Sequence, residues 1–276
     1  MSLFVNTNIN SLIAQRSLNS ANSSLQSAIT RLSTGYRVNQ AGDDAAGLAI
    51  SETMRSQING LNQAVNDAND AIGLIQTAEG AMTETHSMLQ RMKTLTTQAA
   101  NGTYTKTARD NIKAEIDALN KEITRIATTT EFNGEKPLNP AKKGQNLTFF
   151  IGASADKTNA MTVGQLTMTA AALTIDKIAV DTTTNAFKAM KSVDAAIERV
   201  STYRANLGAA QNRLEHTVNN LKVTSENITS AESRIRDTDM ADEITAYTKN
   251  NILLQAAQSM LSQSNAMPQG VLSMLQ

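Results

Sequence analysis

Asp43 and Asp44 are adjacent carboxylates set among glycines in the stretch RLSTGYRVNQAGDDAAGLAI, residues 31–50. Glycines beside acidic residues can build a phosphate loop or a metal site. The spacing here fits neither a GxGxxG nor a Walker loop, and no histidine or third acid lies nearby in sequence. We therefore interpret Gly35, Gly42, Asp43 and Asp44 as cap and turn residues at a joint between two helices.

His86 and His216 are the only histidines, and both lie in helical patterns. Neither belongs to HExxH or to another zinc spacing. The absence of cysteine excludes disulfides, zinc–thiolate sites and thiol chemistry. No set of nucleophile, base and orienting group is visible, so the sequence predicts no catalytic residue, no metal, no cofactor and no enzyme activity.

Composition favours long helices over a thick globular core. Aromatic residues make up 3% of the 276 positions, and Trp is absent. The 25 basic and 25 acidic residues balance, which argues against nucleic acid and anionic membranes as partners. No run is apolar enough to span a bilayer, and the N-terminus lacks the features of an ordinary signal peptide. An exported protein would need another route.

Weak amphipathic helices are predicted at both ends of the chain. Asn, Ser and Gln occupy their polar faces, so each needs a partner to be stable. Met260 and Met267 either pack in a core or form an adaptable surface for a temporary partner. The apolar positions are Val5, Ile9, Leu12, Leu18, Leu25, Ile29 and Leu32 near the start, and Met240, Ile244, Tyr247, Leu254, Leu261 and Met267 near the end.

Stronger helical patterns lie between the ends. Residues 57–100 and 104–127 repeat apolar positions at steps of three and four, and the short link after Gly102 predicts antiparallel packing. A strict seven-residue repeat then predicts a left-handed coiled coil. Polar residues at the complementary positions weaken one half of the seam, which predicts an interface shared with other helices or subunits. These complementary positions are Met190, Ile197, Arg204, Gln211, Val218, Ser225 and Glu232. The repeat consists of Val193, Val200, Leu207, Leu214, Leu221, Ile228 and Ile235.

The middle of the chain changes character. Leu147–Ile151 and Thr162–Met168 read as short strands joined by the turn GASADKTNA, which predicts a β-hairpin. The expected fold is mainly α: a long antiparallel helical bundle or coiled coil with paired terminal helices and a small hairpin. We expect an inner domain of 1–43 plus 233–276, a bundle of 44–140 plus 185–232, and a short variable insertion at 141–184.

Five motifs, in order along the chain, closely resemble the signatures of bacterial flagellin. The resemblance spans nearly the whole chain except about 140–185. The motifs are LSTGYRVNQAGDDAAGLAISE (32–52), LIQTAEGAMTETHSMLQRM (74–92), EFNG (131–134), LGAAQNRLEHTVNNL (207–221) and AESRIRDTDMADE (231–243).

This resemblance implies an extracellular filament subunit, in a short form without large outer domains. It implies export in an unfolded state by the flagellar type III apparatus and terminal helices that fold on assembly. The implied partners are further copies of the chain, the flagellar cap and hook-associated proteins, and a cytoplasmic export chaperone at the C-terminal helix. The alternative is a hook–filament junction protein, which shares the terminal resemblance.

Recognition by the vertebrate innate receptor for flagellin is a further implication of the resemblance. Arg91, Leu95 and Gln98 in LQRMKTLTTQAANG match the family's receptor-contacting positions, and Glu115 matches another. Thr94 departs from the Glu often found there. The same side chains could instead serve contacts between subunits.

Overall fold

The protein is described by a computed structural model that covers residues 8–140, 146–154 and 156–274, without the side chains of 268, 269 and 271–274. Val5, in the predicted first helix, lies outside the described residues. The elements in chain order are α1 (Ile9–Thr34), α2 (Ala45–Ala100), α3 (Lys106–Thr129), β1 (Asn146–Phe150), β2 (Ala160–Gly164), α4 (Thr183–Arg236) and α5 (Met240–Met274). The mainly helical fold with one small hairpin is confirmed.

The chain divides by its internal contacts into two compact units. Unit 1 comprises Met1–Ser56 and Asn227–Gln276, and unit 2 comprises Gln57–Glu226. The boundaries fall inside α2 and α4. The three-part division expected from sequence stays a prediction.

In unit 1, α1 and α5 pair antiparallel. Asn8, before the first turn of α1, donates from Nδ2 to the main-chain oxygen of Ser264 at 2.8 Å. At the other end of α1, the Arg31 guanidinium lies 3.7 Å from the Glu243 carboxylate in the first turn of α5. The terminal helices of the chain are therefore paired, as predicted.

In unit 2, the contacts of α2 show that both its neighbours run antiparallel to it. Towards α3, Arg91 contacts Glu115, and Arg109 donates to the main-chain oxygen of Ala99. Towards α4, Lys93 pairs with Asp194 and Glu79 with Arg204. Ascending residue numbers on α2 meet descending ones on both helices, so the bundle is antiparallel.

The seven-residue repeat of α4 lies in the core of unit 2 over five of its positions. Val193, Val200, Leu207, Leu214 and Leu221 are buried, whereas Ile228 and Ile235, in unit 1, are half-buried. In the first half of α4 the second seam position is occupied by Ala196, Tyr203 and Ala210, which are buried, whereas the predicted Ile197, Arg204 and Gln211 are only half-buried. Farther along α4, the predicted Val218 and Ser225 are buried. The small side chains of Ala196 and Ala210 let neighbouring helices approach α4 closely.

The hairpin pairs Leu147 with Val163 and Phe149 with Met161 in an antiparallel register. Its second strand begins two residues earlier and ends four residues earlier than the pattern predicted. The segment after it leaves the sheet because its apolar side chains enter the core of unit 2. These buried residues are Met168, Ala170, Leu173, Ile175, Ile178 and Val180.

Candidate functional site

The joint after α1 turns the chain through a left-handed glycine. Gly35 is the C-cap of α1, with φ +75°, and its N–H donates to the Arg31 oxygen at 2.8 Å. A residue with a Cβ is strained in that conformation. Gly42, in the following turn, has no positive φ and nothing within 4 Å of an added Cβ. Of these two glycines, only Gly35 is required by its backbone conformation.

Asp43 and Asp44 both accept backbone hydrogen bonds in this joint. Oδ2 of Asp43 accepts from the N–H groups of Asn39 and Gln40 at 3.1 Å each. These donors hold the pKa of Asp43 below its usual 3.8. Oδ1 of Asp44 accepts from the N–H of Gly47 at 2.9 Å, in the first turn of α2. Asp43 thus binds backbone N–H groups within the turn, and Asp44 caps the first turn of α2.

A second joint, between α4 and α5, is bonded to the first. The N–H of Arg37 donates to the Arg236 oxygen at 2.7 Å, and the N–H of Thr238 donates to the Gly35 oxygen at 3.0 Å. The Arg236 guanidinium lies 4.8 Å from the centre of the Tyr36 ring and donates to Glu52 Oε1 at 2.7 Å. That bond is the main cause of the lowered pKa of Glu52. No local sequence pattern predicts these pairings, because the paired residues lie far apart in the chain.

Unit 1 leaves most of its large apolar side chains in solvent. Twelve of the sixteen exposed large hydrophobic residues described in the chain belong to this unit. Among the residues of unit 1 that the structure describes, the buried apolar ones are only Ala21, Ala28 and Val38. We name the twelve exposed side chains the terminal apolar surface. They are Ile9, Leu12, Ile13, Ile29, Tyr36, Ile50, Met240, Ile244, Ile252, Leu253, Met260 and Met267.

The pairing of α1 with α5 does not cover this surface. On α1, the buried or half-buried positions are spaced by three and four and carry Leu18, Ala21, Leu25, Ala28 and Leu32. On α5, the corresponding stripe carries Tyr247, Leu254 and Leu261. The other apolar residues lie beside these stripes. Each helix is therefore apolar over a wider arc than one partner helix can bury.

Sequence reasoning missed five members of the terminal apolar surface: Ile13, Tyr36, Ile50, Ile252 and Leu253. Of these, Ile13, Ile252 and Leu253 each adjoin another large apolar residue, in Leu12–Ile13 and in Ile252–Leu254. Consecutive apolar residues on a helix point in different directions, because successive residues are about 100° apart. Adjacent apolar residues therefore widen the apolar stripe locally, and this sequence feature could have revealed these three missed side chains.

The four residues matched to receptor contact do not share one environment. Arg91 and Glu115 form an exposed ion pair with 2.8 Å between Nη2 and Oε1. Gln98 is exposed, and its Nε2 donates to the Tyr104 hydroxyl at 2.7 Å. Leu95 is only 2% exposed and packs in the core of unit 2. Three of the four side chains are thus presented to solvent, and the fourth, Leu95, is buried.

The histidines and the acids do not gather into a metal site within the described ranges. No group of three His, Cys, Asp or Glu residues there could hold a metal ion. His216 is exposed, and the Nε2 of His86 lies 2.9 Å from the Gln90 side-chain nitrogen. Among the described helices, none is long and apolar enough to cross a membrane.

A mostly apolar cavity of about 560 Å³ lies between α4 and the segment after β2. Leu166, Met168, Leu173 and Tyr203 contribute to its walls. Burial raises the pKa of Tyr203, and a hydrogen bond from the backbone of Leu166 opposes that shift. Glu198, Arg199 and Thr202 of α4 also line the cavity.

Comparison with known protein families finds two matches at the two ends of the chain. Residues 5–143 match the bacterial flagellin N-terminal helical region. Residues 190–275 match the bacterial flagellin C-terminal helical region. Together these matches include α1–α3, most of α4 and all of α5.

Similar proteins agree with those matches over the full length. The chain is 49% identical to a flagellin of Bacillus subtilis (strain 168) over 304 aligned residues, covering 98% of this chain and 99% of the relative. It is 44% identical to the flagellar filament 33 kDa core protein of Treponema phagedenis, covering 99% and 100%. The crystal structure of Bacillus cereus flagellin matches with a TM-score of 0.50 at 29% identity, covering 60% of this chain and 94% of that one.

Proposed function

The chain belongs to the bacterial flagellin family and is a structural subunit of the flagellar filament, and from that premise we propose that the terminal apolar surface is where its copies polymerise. The family is structural, and its filament lies outside the cell. The observation that carries the proposal is the unequal exposure of the two units. Unit 2 buries an extended core, whereas the described part of unit 1 buries few apolar residues beyond Ala21, Ala28 and Val38.

The physical mechanism is folding coupled to assembly. A pair of long helices with so few buried apolar side chains has low stability by itself. Neighbouring copies that cover Ile244, Ile252 and Leu253 supply the missing burial, so the helices become fully ordered only in the polymer. Contacts between different patches on successive copies do not close into a ring and produce an open helical array. This coupling restricts growth to an existing filament end.

The low stability of the terminal helices also supports a proposal for export of the chain and for its export partners. We propose that the chain passes unfolded through the flagellar type III apparatus. An export chaperone would cover the apolar side chains of α5 in the cytoplasm, because Ile252, Leu253 and Met260 would otherwise promote premature association. Flagellar cap and hook-associated proteins would meet the same terminal helices at the ends of the filament.

Receptor recognition is a second candidate function, and the exposed pair of Arg91 and Glu115 favours it. An arginine held by a carboxylate presents ordered donors on a helix surface, which is a common anchor in protein interfaces. Gln98 lies seven residues beyond Arg91 on α2, so the two share one face. Contact between subunits would use the same exposed side chains.

The test of the polymerisation surface replaces two neighbouring apolar residues of α5. In Ile252→Gln with Leu253→Gln, burial of amides in place of alkyl groups should raise the critical concentration for assembly about 10- to 100-fold. The matched control is Val223→Gln, because Val223 is similarly exposed but lies in unit 2. Assembly is measured by sedimentation after seeding with filament fragments.

Normal seeded growth of the double variant would refute the proposed surface. The same preparations separate a filament subunit from a junction protein. Wild-type protein should extend seeds into long filaments in negative-stain micrographs, whereas a junction protein would add no length. The near-complete coverage of flagellar filament proteins favours the first outcome.

A further inference from the structure

The methionines of the described chain fall into two groups by exposure. Met82 and Met92 are fully buried in unit 2, and Met161 and Met168 are 4% and 2% exposed. On α5, Met240, Met260 and Met267 are 46%, 66% and 52% exposed. Met54, Met88 and Met190 are half-buried. The solvent-facing thioethers are thus concentrated on the helix that carries half of the terminal apolar surface.

We propose that Met240, Met260 and Met267 form an oxidation-sensitive element that controls whether a subunit can join the filament. The oxidant is of the hydroperoxide class, such as hydrogen peroxide. The thioether sulfur attacks one peroxide oxygen, a sulfur–oxygen bond forms, the oxygen–oxygen bond breaks, and water leaves. Sulfur is oxidised by two electrons and the peroxide is reduced. The inference rests on the proposed function, in which assembly buries the terminal apolar surface.

The product is incompatible with an apolar contact between copies. A sulfoxide replaces a flexible apolar side chain by a polar one whose oxygen needs a hydrogen-bond donor. Around Met260 and Met267, inside α5, the backbone N–H groups are bonded within the helix and cannot supply one. Near Met240, at the start of α5, the N–H groups of Ala241 and Asp242 already donate to Asp239 Oδ1. Each sulfoxide buried without a donor should weaken subunit addition about tenfold. Three on one helix would stop growth at ordinary subunit concentrations.

Accessibility makes the reaction selective. Buried methionines are oxidised slowly because peroxide must reach the sulfur, so Met82, Met92 and Met168 provide an internal reference in the same chain. Once α5 is covered by neighbouring copies, its thioethers become shielded as well. The proposal therefore predicts that free subunits are sensitive and that assembled filaments are resistant.

The experiment uses full-length subunits obtained by depolymerising filaments. Subunits are treated with graded hydrogen peroxide, the oxidant is removed, and peptide mass spectrometry locates the sulfoxides. Seeded assembly is then measured by sedimentation. We expect sulfoxides first at Met240, Met260 and Met267, together with a rise of at least about tenfold in the critical concentration.

Two triple variants separate the proposed element from general damage. M240L/M260L/M267L keeps apolar side chains of similar size that peroxide cannot oxidise, and it should assemble equally well before and after treatment. The matched control M54L/M88L/M190L retains the α5 methionines and should lose assembly as the wild type does. Enzymatic reduction of the oxidised wild type by methionine sulfoxide reductases should restore assembly, which tests the proposal without any substitution.

Three results would overturn the proposal: equal loss of assembly in M240L/M260L/M267L, normal assembly of wild type carrying the three sulfoxides, or no recovery after they are reduced. These outcomes are distinct from failure of the proposed function. Normal assembly of the unoxidised Ile252→Gln and Leu253→Gln variant would refute the polymerisation surface. Loss of assembly in that variant together with peroxide-insensitive wild type would refute the oxidation-sensitive element alone.

Discussion

Asn8 and Ser264 are joined by a hydrogen bond of 2.8 Å although 256 positions separate them in the chain. The Ser11 hydroxyl adds a second bond at this end, to the side-chain oxygen of Asn265 at 2.8 Å. Polar contacts of this kind set the register of α1 against α5, and each contributes only about 0.5–1.5 kcal/mol of net stability. The two helices therefore pair in a specific register but bury little apolar surface against each other. Both features are expected of helices whose apolar surface is covered by neighbouring copies in the filament.

The first prediction concerns Gly35. Gly35→Ala should destabilise the full-length protein by about 1–2 kcal/mol, because an alanine with φ near +75° is strained. The matched control is Gly80→Ala, inside α2, where an added Cβ meets nothing within 4 Å. That control should stabilise by about 0.5–1 kcal/mol through helix propensity. Urea unfolding followed by circular dichroism measures both, and changes of the same sign would contradict the assignment of Gly35 as an obligatory cap.

Features that depend on residues close together in the chain could be predicted from the sequence, whereas contacts between distant residues could not. The buried positions of α4 from Val193 to Leu221 follow from a seven-residue repeat, which is local in sequence. Gly35 likewise follows from its distance to Leu32 at a helix end. The bond from Arg37 Nη2 to the Ile235 oxygen, at 2.7 Å, links residues 198 positions apart, and no local pattern specifies it.

The packing of two positions is not visible in local composition. The segment 168–180 lies within the range 141–184 that the sequence predicts as a short variable insertion, and its Leu173, Ile175 and Val180 are buried in the core of unit 2. Leu95 lies in the motif matched to receptor contact, and its apolar side chain follows the core stripe of α2 and is buried. Tertiary contacts decide the burial of these side chains.

The second prediction concerns acid. The lowered pKa of Asp43 means that its carboxylate stabilises the turn at Asn39 and Gln40 above the usual pKa of 3.8, and that this stabilisation is lost as pH falls through the lower, folded-state pKa. Asp43→Asn removes the charge at every pH. The amides of Asn39 and Gln40 should therefore exchange more slowly in the wild type than in the variant at neutral pH.

Hydrogen exchange by NMR in matched samples from about pH 7 to about pH 3 measures this difference. We expect it to shrink towards the acid end and to vanish once Asp43 is protonated. A difference that grows as pH falls would show that the carboxylate does not hold the turn. No difference at neutral pH would lead to the same conclusion.

The third prediction addresses the receptor. Arg91→Ala with Gln98→Ala should reduce signalling in receptor reporter cells about tenfold or more, since both exposed side chains would be lost from the contact face. The matched control is Arg125→Ala, which removes an equally exposed arginine paired with Glu122 on α3. Leu95→Ala is a poor probe, because emptying a buried leucine site should cost about 2–5 kcal/mol of stability. Signalling equal to that of the control would assign Arg91 and Gln98 to other contacts.

The central claim is that α1 is needed for polymerisation and not for folding of unit 2, and removal of residues 1–32 tests it most directly. The truncated chain should remain a soluble helical monomer by circular dichroism and size-exclusion chromatography, because the core of unit 2 contains no residue from α1. Mixed with filament seeds under native conditions, it should add no length in negative-stain micrographs, while the full chain extends the same seeds. Filaments grown from the truncated chain would contradict the account.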